Sequence, residues 1–226
     1  MKVINVKGDI VINEWARFYK WLGWDCVCPQ DVTDVISEAE DGEEIRVNIN
    51  SGGGHVMAGQ EIYSVLSKNP NVQISVEGMA CSAASIIAMA GKSSISPVGM
   101  LMIHNVSGYS EGDYHEMDKT SNELKQMNEA LASAYHVKSG MEMDKLLKLM
   151  DKETWLTANQ CIEYGLIDEI EKPVNQGNNV LMINGINSGV RLTPEMMEKV
   201  EADMKKAEEN AALKKQLMED LDNYGV

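Results

Sequence analysis

Apolar and polar side chains alternate along residues 44–50 and 73–77, which is the period of a half-buried β-strand. Each stretch leads into a segment of helical composition. The first segment, residues 56–68, is stopped by Asn69 and Pro70. The second, residues 82–90, is rich in Ala, Ile and Met and closes at Gly91. Strands that alternate with helices predict an α/β fold.

Weaker patterns predict the remaining elements. Thr157 and Gln160 have the spacing of a capping box, which opens a helix that ends at Gly165. Other helices are predicted over residues 31–39, 116–138 and 143–150. Short strands are predicted over 3–6, 10–12, 94–96, 100–103 and 166–170, with a turn at 7–9 between the first two.

The composition changes after residue 172. Residues 173–193 are rich in Asn and Gly, as in a linker, and Thr193 and Pro194 then open a helix over 194–226. Its apolar residues recur at spacings of three and four, which fits either a coiled coil or a helix that lies on the core. We therefore expect a domain over 1–172, a linker over 173–193 and a C-terminal helical appendage.

The overall charge limits the possible partners. The chain has 226 residues, 44% of them hydrophobic, and a formal net charge of −15. Phosphate backbones need a basic face, so the charge argues against a nucleic-acid partner. The apolar run at residues 79–90 is too short to span a bilayer, and the N-terminal residues do not resemble a signal peptide. We expect a cytoplasmic protein without a membrane partner.

The four cysteines give little support for a metal site. Cys26 and Cys28 form a lone C-x-C pair, and Cys81 and Cys161 stand apart. Free thiols, no metal and no cofactor are expected. Residues 14–28 hold Trp15, Phe18, Tyr19, Trp21 and Trp24, a segment better suited to packing or a subunit contact than to stacking on bases.

A serine stands where a predicted strand turns into a predicted helix. Gly78 and small residues surround Ser82, which resembles a nucleophile elbow. A hydroxyl there would lie beside N–H groups that have no partner inside the helix. The alternative is that Ser82 only caps the helix, a contribution of about 1 kcal/mol.

Two other junctions follow predicted strands. Residues 52–54 are three glycines between a strand and a helix, which let the backbone come close to a ligand. Neither a dinucleotide fingerprint nor a phosphate-loop lysine follows, so N–H groups directed at another anionic group are the better interpretation. His104 ends the strand at 100–103; on its own, such a histidine is more often a surface or core residue.

Together these stretches resemble the Clp protease proteolytic subunit family, and more closely its prophage-encoded, head-maturation-like members. The matching stretches occur in the family's order over about residues 45–170. The resemblance implies a ClpP/crotonase-like ββα spiral core. The matches are Asn50-Ser51-Gly52-Gly53-Gly54, Gly78-Met79-Ala80-Cys81-Ser82, Met102-Ile103-His104, Trp155-Leu156-Thr157-Ala158 and Glu163-Tyr164-Gly165-Leu166-Ile167-Asp168.

The resemblance implies a serine endopeptidase with a Ser–His–acid triad. Ser82 would be the nucleophile and His104 the general base, and the N–H groups of Gly54 and Ala83 would form the oxyanion hole. The family's aspartate falls in register with Glu153, and Asp151 is the substitute two residues upstream. A glutamate can also orient a histidine.

The resemblance further implies protein or peptide substrates and a self-assembled homo-oligomeric ring. The region before residue 45 and the aromatic segment depart from the family pattern, which argues against docking to a hexameric AAA+ unfoldase. Two other functions stay open. One is a crotonase-type acyl-CoA enzyme, which shares the spiral and an oxyanion hole but needs no Ser–His pair. The other is a catalytically silent ring or scaffold component.

Overall fold

The computed structural model describes residues 1–172, in which eight strands and seven helices form one mixed α/β unit. The strands are β1 Lys2–Ile10, β2 Cys26–Val27, β3 Ile45–Gly54, β4 Val72–Cys81, β5 Lys92–Ile95, β6 Met100–Ile103, β7 Thr154–Thr157 and β8 Glu169–Ile170. The helices are α1 Asn13–Leu22, α2 Pro29–Ser37, α3 Val56–Leu66, α4 Ala83–Ile87, α5 Tyr114–Ser139, α6 Met143–Asp151 and α7 Ala158–Glu163. The predicted α/β fold is confirmed.

The sheet is parallel through the order β2-β1-β3-β4-β5-β8. Strand β4 changes partner along its length: residues 73–76 pair with β5, and residues 79–81 pair with β6. Strand β7 adds to β6 in the antiparallel direction. The carboxyl ends of β1, β3, β4 and β6 therefore lie along one edge of the sheet.

The core forms where the alternating strand residues meet the helices. Ile45, Val47 and Ile49 of β3 are fully buried, as are Ile62 and Leu66 of α3. Each such side chain contributes about 1.5–3 kcal/mol when it is removed from water. Every residue of α4 is buried as well, so the segment that follows Ser82 lies inside the protein.

Two predicted local features are wrong, and one strand was not predicted. Residues 7–9 are not a turn, because β1 runs through them with a register shift against β3. Gly8 has φ 68° there, and a Cβ at this position would fall on the carbonyl oxygen of Asp25. The helix predicted over 82–90 is regular only over α4, and tighter i to i+3 hydrogen bonds continue to Ala90. Strand β7 is not predicted by the sequence pattern, whereas the capping box at its last residue, Thr157, is present as predicted.

The predicted linker and C-terminal helix, residues 173–226, lie outside the described residues. Within residues 1–172, no helix is long and apolar enough to cross a membrane. The same range contains no cluster of three or more metal-ligating side chains. Burial raises the pKa of the Cys161 thiol to about 12 and also raises the pKa of Cys81, so both thiols stay protonated at neutral pH.

Asp168 ties the sheet to α5. Its Oδ2 accepts hydrogen bonds from the Ser93 amide, at 2.7 Å, and from the Lys138 ammonium group, which also donates to the Gly91 carbonyl. Burial by itself raises the pKa of this carboxyl, but the bonds from Lys138 and Ser93 outweigh burial, so the pKa is lowered. The carboxylate form therefore stabilises the fold.

We expect Asp168→Asn to reduce the free energy of unfolding at neutral pH. A lowered folded-state pKa contributes stability above the usual aspartate pKa of about 3.9, and this contribution is lost as the pH falls through the folded-state value. Urea unfolding at pH 7 and at acidic pH measures this, with Glu169→Gln as the neighbouring carboxylate control. The deficit of Asp168→Asn should shrink in acid, and an unchanged deficit would contradict the assignment.

Candidate active site

Ser82 lies at a sharp bend between β4 and α4. Its backbone has φ 55° and ψ −124°, a region that costs a non-glycine residue about 1–3 kcal/mol. The Ser82 N–H donates to the Met102 carbonyl of β6 at 2.9 Å. This hydrogen bond holds the bend against β6, and the predicted sharp turn from strand into helix is present.

A buried pair of hydroxyls holds the other side of the bend. Ser85 Oγ donates to the Ser82 carbonyl at 2.6 Å and lies 2.7 Å from the Tyr135 hydroxyl. Since Ser85 has one hydroxyl proton and the Ser82 carbonyl takes it, Tyr135 must donate to Ser85. Burial raises the pKa of Tyr135, so this hydroxyl keeps its proton. Helix α5 thereby supports the bend.

The register of β4 carries Ser82 to the glycine segment of β3. Ile49 pairs with Val76, but Ser51 pairs with Ala80, so β4 has two more residues than β3 between these pairs. Asn50 fills the space, because its Oδ1 accepts from the Met79 N–H at 3.1 Å. A Cβ at Gly78 would lie 2.5 Å from that oxygen, which explains the glycine.

Ser51 holds the glycine segment, residues 52–54, in place. Its buried hydroxyl donates to the Gly8 carbonyl at 2.6 Å and accepts from the Gly53 N–H at 3.0 Å. Gly53 has φ 101°, and a Cβ there would lie 2.7 Å from both the Cys81 carbonyl oxygen and the Ser82 Cβ. Glycine is therefore required for the close approach to Ser82.

The two predicted oxyanion donors flank Ser82. The N–H of His55, which follows Gly54, donates to the Ile10 carbonyl at 2.7 Å. Gly54 lines the same small cavity as Ser82 and Ala83. Ala83 is the first residue of α4, so its N–H has no partner within that helix.

His104 follows the last residue of β6 and contacts Ser82. Its Nε2 lies 2.7 Å from the Ser82 Oγ. The chain beyond it is held by α5, because the Asn128 Oδ1 accepts from the Val106 N–H at 2.7 Å. The structure thus joins a hydroxyl and an imidazole that are 22 residues apart in the sequence.

The two candidate carboxylates have other partners. Glu153 Oε1 accepts from the Trp155 indole N–H at 3.4 Å, and Asp151 Oδ1 accepts from the Asn105 amide at 2.8 Å. Among residues 1–172, no hydrogen bond or salt bridge joins His104 to a carboxylate. Glu153 immediately precedes Thr154, the residue of β7 that pairs with Ile103, and its φ of 49° lies outside the extended conformation of a strand.

A small cavity of about 70 Å³ opens beside the Ser82 hydroxyl. Its walls are apolar side chains from three helices and the segment after His104, while Gly54 and Ala83 bring backbone to its rim. The apolar walls are Val56, Ile86, Val106 and Leu131. A substrate side chain held here would lie next to the hydroxyl.

Four residues that hold the bend and the glycine segment in place were not predicted from the sequence, namely Asn50, Ser51, Ser85 and Tyr135. Only Ser51 had a local signal, since a serine two residues before a glycine is typical of a side-chain turn. The others act across long sequence separations. His55 was missed as well; its ring packs edge-on against Trp15, with centroids 6.0 Å apart.

Residues 33–174 match the family model of Clp protease. The chain belongs to the Clp protease family. It is 33% identical over 139 residues to an ATP-dependent Clp protease proteolytic subunit of Bacteroides fragilis, covering 60% of this chain and 67% of that protein. It is 32% identical over 139 residues to the protein of the same name from Bacteroides thetaiotaomicron, covering 60% and 63%.

A solved structure agrees with the fold. A ClpP1 variant from Listeria monocytogenes superimposes with a TM-score of 0.62 at 24% identity, covering 77% of this chain and 93% of that one. The ClpP/crotonase-like core expected from the sequence is therefore confirmed. The chain spans about two thirds of the length of the curated Clp relatives.

Replacing Gly53 should disturb the Ser82 hydroxyl, whereas replacing its neighbour Gly52 should not. A methyl group at Gly53 would meet the bend at 2.7 Å, but one at Gly52 has no atom within 4 Å. Misplacing a reacting group by about 1 Å can cost 100-fold in rate. We expect Gly53→Ala to slow modification of Ser82 by a fluorophosphonate by about that factor. Similar rates for the two variants would contradict this packing.

Proposed function

We propose that the protein is a serine endopeptidase that hydrolyses peptide bonds with Ser82, His104 and a carboxylate. The observation that carries the proposal is the 2.7 Å contact between Ser82 Oγ and His104 Nε2 at the bend. The backbone amides of Gly54 and Ala83 support it from either side. Membership of the Clp protease family supports the same reaction class.

In the first half of the reaction, Ser82 Oγ attacks the peptide carbonyl carbon and passes its proton to His104 Nε2. The carbonyl oxygen becomes an oxyanion, which accepts hydrogen bonds from the N–H groups of Gly54 and Ala83. Each such donor contributes about 3 kcal/mol to the transition state. The protonated His104 then gives its proton to the leaving amine, and the C–N bond breaks.

In the second half, water attacks the ester on Ser82 while His104 Nε2 takes a proton from the water. The tetrahedral intermediate again places its oxygen between the two amides. His104 returns the proton to the Ser82 oxygen, and the carboxylic acid product leaves. Each proton released in one step is used in the next.

We infer that Glu153 completes the triad. Glu153 precedes Thr154 and His104 follows Ile103, the partner of Thr154, so both residues leave the strand pair at the same end. Rotation of the Glu153 side chain away from Trp155 would bring its carboxylate to His104 Nδ1. Asp151 is the substitute. It would act either through Asn105, whose amide donates to its Oδ1, or after that hydrogen bond is released.

We further propose that the protein works on protein or peptide substrates within a homo-oligomeric ring. Prophage head maturation and a cytoplasmic location are the matching expectations from sequence, and the departures before residue 45 argue against docking to an AAA+ unfoldase. The separation of His104 from both carboxylates favours one alternative, a catalytically silent ring component.

A fluorophosphonate should label wild-type protein at Ser82 and fail to label Ser82→Ala. His104→Ala should lose labelling and peptide cleavage by several orders of magnitude with the fold intact, because the serine loses its base. Intact-mass and peptide-mass measurements locate the adduct. Absence of label on folded wild-type protein would support the silent component instead. Labelling together with cleavage would exclude both that role and an acyl-CoA enzyme.

The third triad role is tested by a matched pair of variants. Glu153→Gln should lower kcat of peptide cleavage far more than Asp151→Asn, because only a carboxylate beside Nδ1 stabilises the imidazolium ion. Both substitutions keep the side-chain size, so unfolding curves should be similar. The reverse order of activities would assign the role to Asp151.

A further inference from the structure

A second cavity of about 390 Å³ lies beside the glycine segment, and Ser82 does not line it. Its walls come from the end of β1, from α1 and from residues 52–55. Gly54 lines both this cavity and the small cavity at Ser82. The two spaces are therefore neighbours along the edge where the parallel strands end.

The walls of this second cavity are aromatic. Trp15 and Tyr19 project from successive turns of α1, and the His55 ring packs edge-on against Trp15. Tyr19 is held in turn by an edge contact with Trp24, with ring centroids 5.6 Å apart. Trp15 is 49% exposed, so part of its surface is available to a ligand.

One carboxylate, that of Asp9, belongs to the same cavity. Tyr19 lines this cavity together with Asp9. The pKa of Tyr19 is raised, mainly by burial and then by the negative charge of Asp9 and a hydrogen bond with Asp9. No ammonium or guanidinium group in residues 1–172 forms a salt bridge with Asp9. The nearby cations have other partners: Lys7 pairs with Glu77, Lys20 pairs with Asp31, and Arg17 lies over the Phe18 ring.

Aromatic rings together with a carboxylate recognise a cation. A guanidinium or ammonium group is attracted to an indole or phenol face and forms a charged hydrogen bond with a carboxylate. The methylene groups of arginine or lysine would pack on the same rings. A negatively charged side chain would be repelled by Asp9.

The sheet spacing gives the distance of this cavity from the reaction. Neighbouring strands are about 4.8 Å apart, so the end of β1 lies about 10 Å from the end of β4. An extended peptide rises about 3.3–3.6 Å per residue. A side chain in the second cavity therefore belongs to a residue about three positions from the scissile bond.

We propose that the cavity formed by Asp9, Trp15, Tyr19 and His55 is a substrate subsite for an arginine or lysine side chain about three residues from the cleaved bond. As a substrate subsite it rests on the proposed peptidase function. The α1 segment thereby gives the enzyme selectivity for basic residues in its substrates.

Binding tests the subsite without requiring catalysis. The ligand is a seven-residue alanine-based peptide with one central arginine, and its twin carries neutral citrulline at that position. In Ser82→Ala protein, calorimetry should give a Kd about fivefold lower for the arginine peptide. Adding Asp9→Asn should bring the ratio of the two Kd values close to one, and adding Trp15→Ala should weaken binding of the arginine peptide.

Two control variants come from the same segment. Phe18→Ala removes an exposed aromatic ring of α1 that does not line the cavity, and Glu14→Gln removes an exposed carboxylate of the same helix. Both should keep the fivefold ratio. Equal Kd values for the two peptides in Ser82→Ala protein would overturn the subsite. The subsite would also be overturned if Trp15→Ala changed the native mass of the protein while Asp9→Asn left the ratio of the two Kd values unaltered. The surface would then be a subunit contact.

Cleavage distinguishes failure of the subsite from failure of the peptidase. Mass spectrometry of digested peptide pools should show arginine and lysine enriched about three residues from the cut sites, on one side, with the enrichment lost in Asp9→Asn. Cleavage that depends on Ser82 but lacks this enrichment would overturn the subsite alone. If no cleavage depended on Ser82 but the protein still discriminated between the two peptides, the peptidase function alone would be overturned.

Discussion

Ser82 occupies a backbone conformation that serine avoids, and hydrogen bonds from β6 and from Ser85 hold it there. The Met102 carbonyl fixes its N–H, and Ser85, supported by Tyr135 of α5, fixes its carbonyl oxygen. The strain of about 1–3 kcal/mol is offset by the surrounding core. The same bend aims the hydroxyl at His104 and presents the Ala83 amide beside it, so the site depends on this conformation.

The sheet supplies the rest of the alignment. Between two of its pairs with β3, strand β4 has two extra residues, which the Asn50 side chain stabilises. They shift the register so that Ser82 lies beside Gly53. Because β4 changes partner from β5 to β6, the strand that precedes His104 lies beside Ser82. Because these strands are parallel, their carboxyl ends collect at one edge, where both the small cavity beside Ser82 and the second cavity lined by Trp15 and Tyr19 lie.

Local patterns predicted the elements that have strong periodicity. The alternation in β3 and β4, the Asn69–Pro70 stop after α3 and the Thr157–Gln160 capping box all correspond to observed structure. Prediction failed at residues 7–9, where a glycine that usually marks a turn marks a register shift inside β1. The reason is tertiary: the neighbouring Asp25 leaves no room for a side chain at Gly8.

Residue order and family motifs determined the α/β class, the candidate Ser82 and His104, and the glycines that come close to them. Tertiary structure alone decided that the hydroxyl and imidazole lie 2.7 Å apart, that Ser85 and Tyr135 support the bend, and that α1 forms a cavity next to Gly54. Local preference depends on neighbours along the chain. These contacts instead depend on strand register and helix packing, which join residues far apart in sequence.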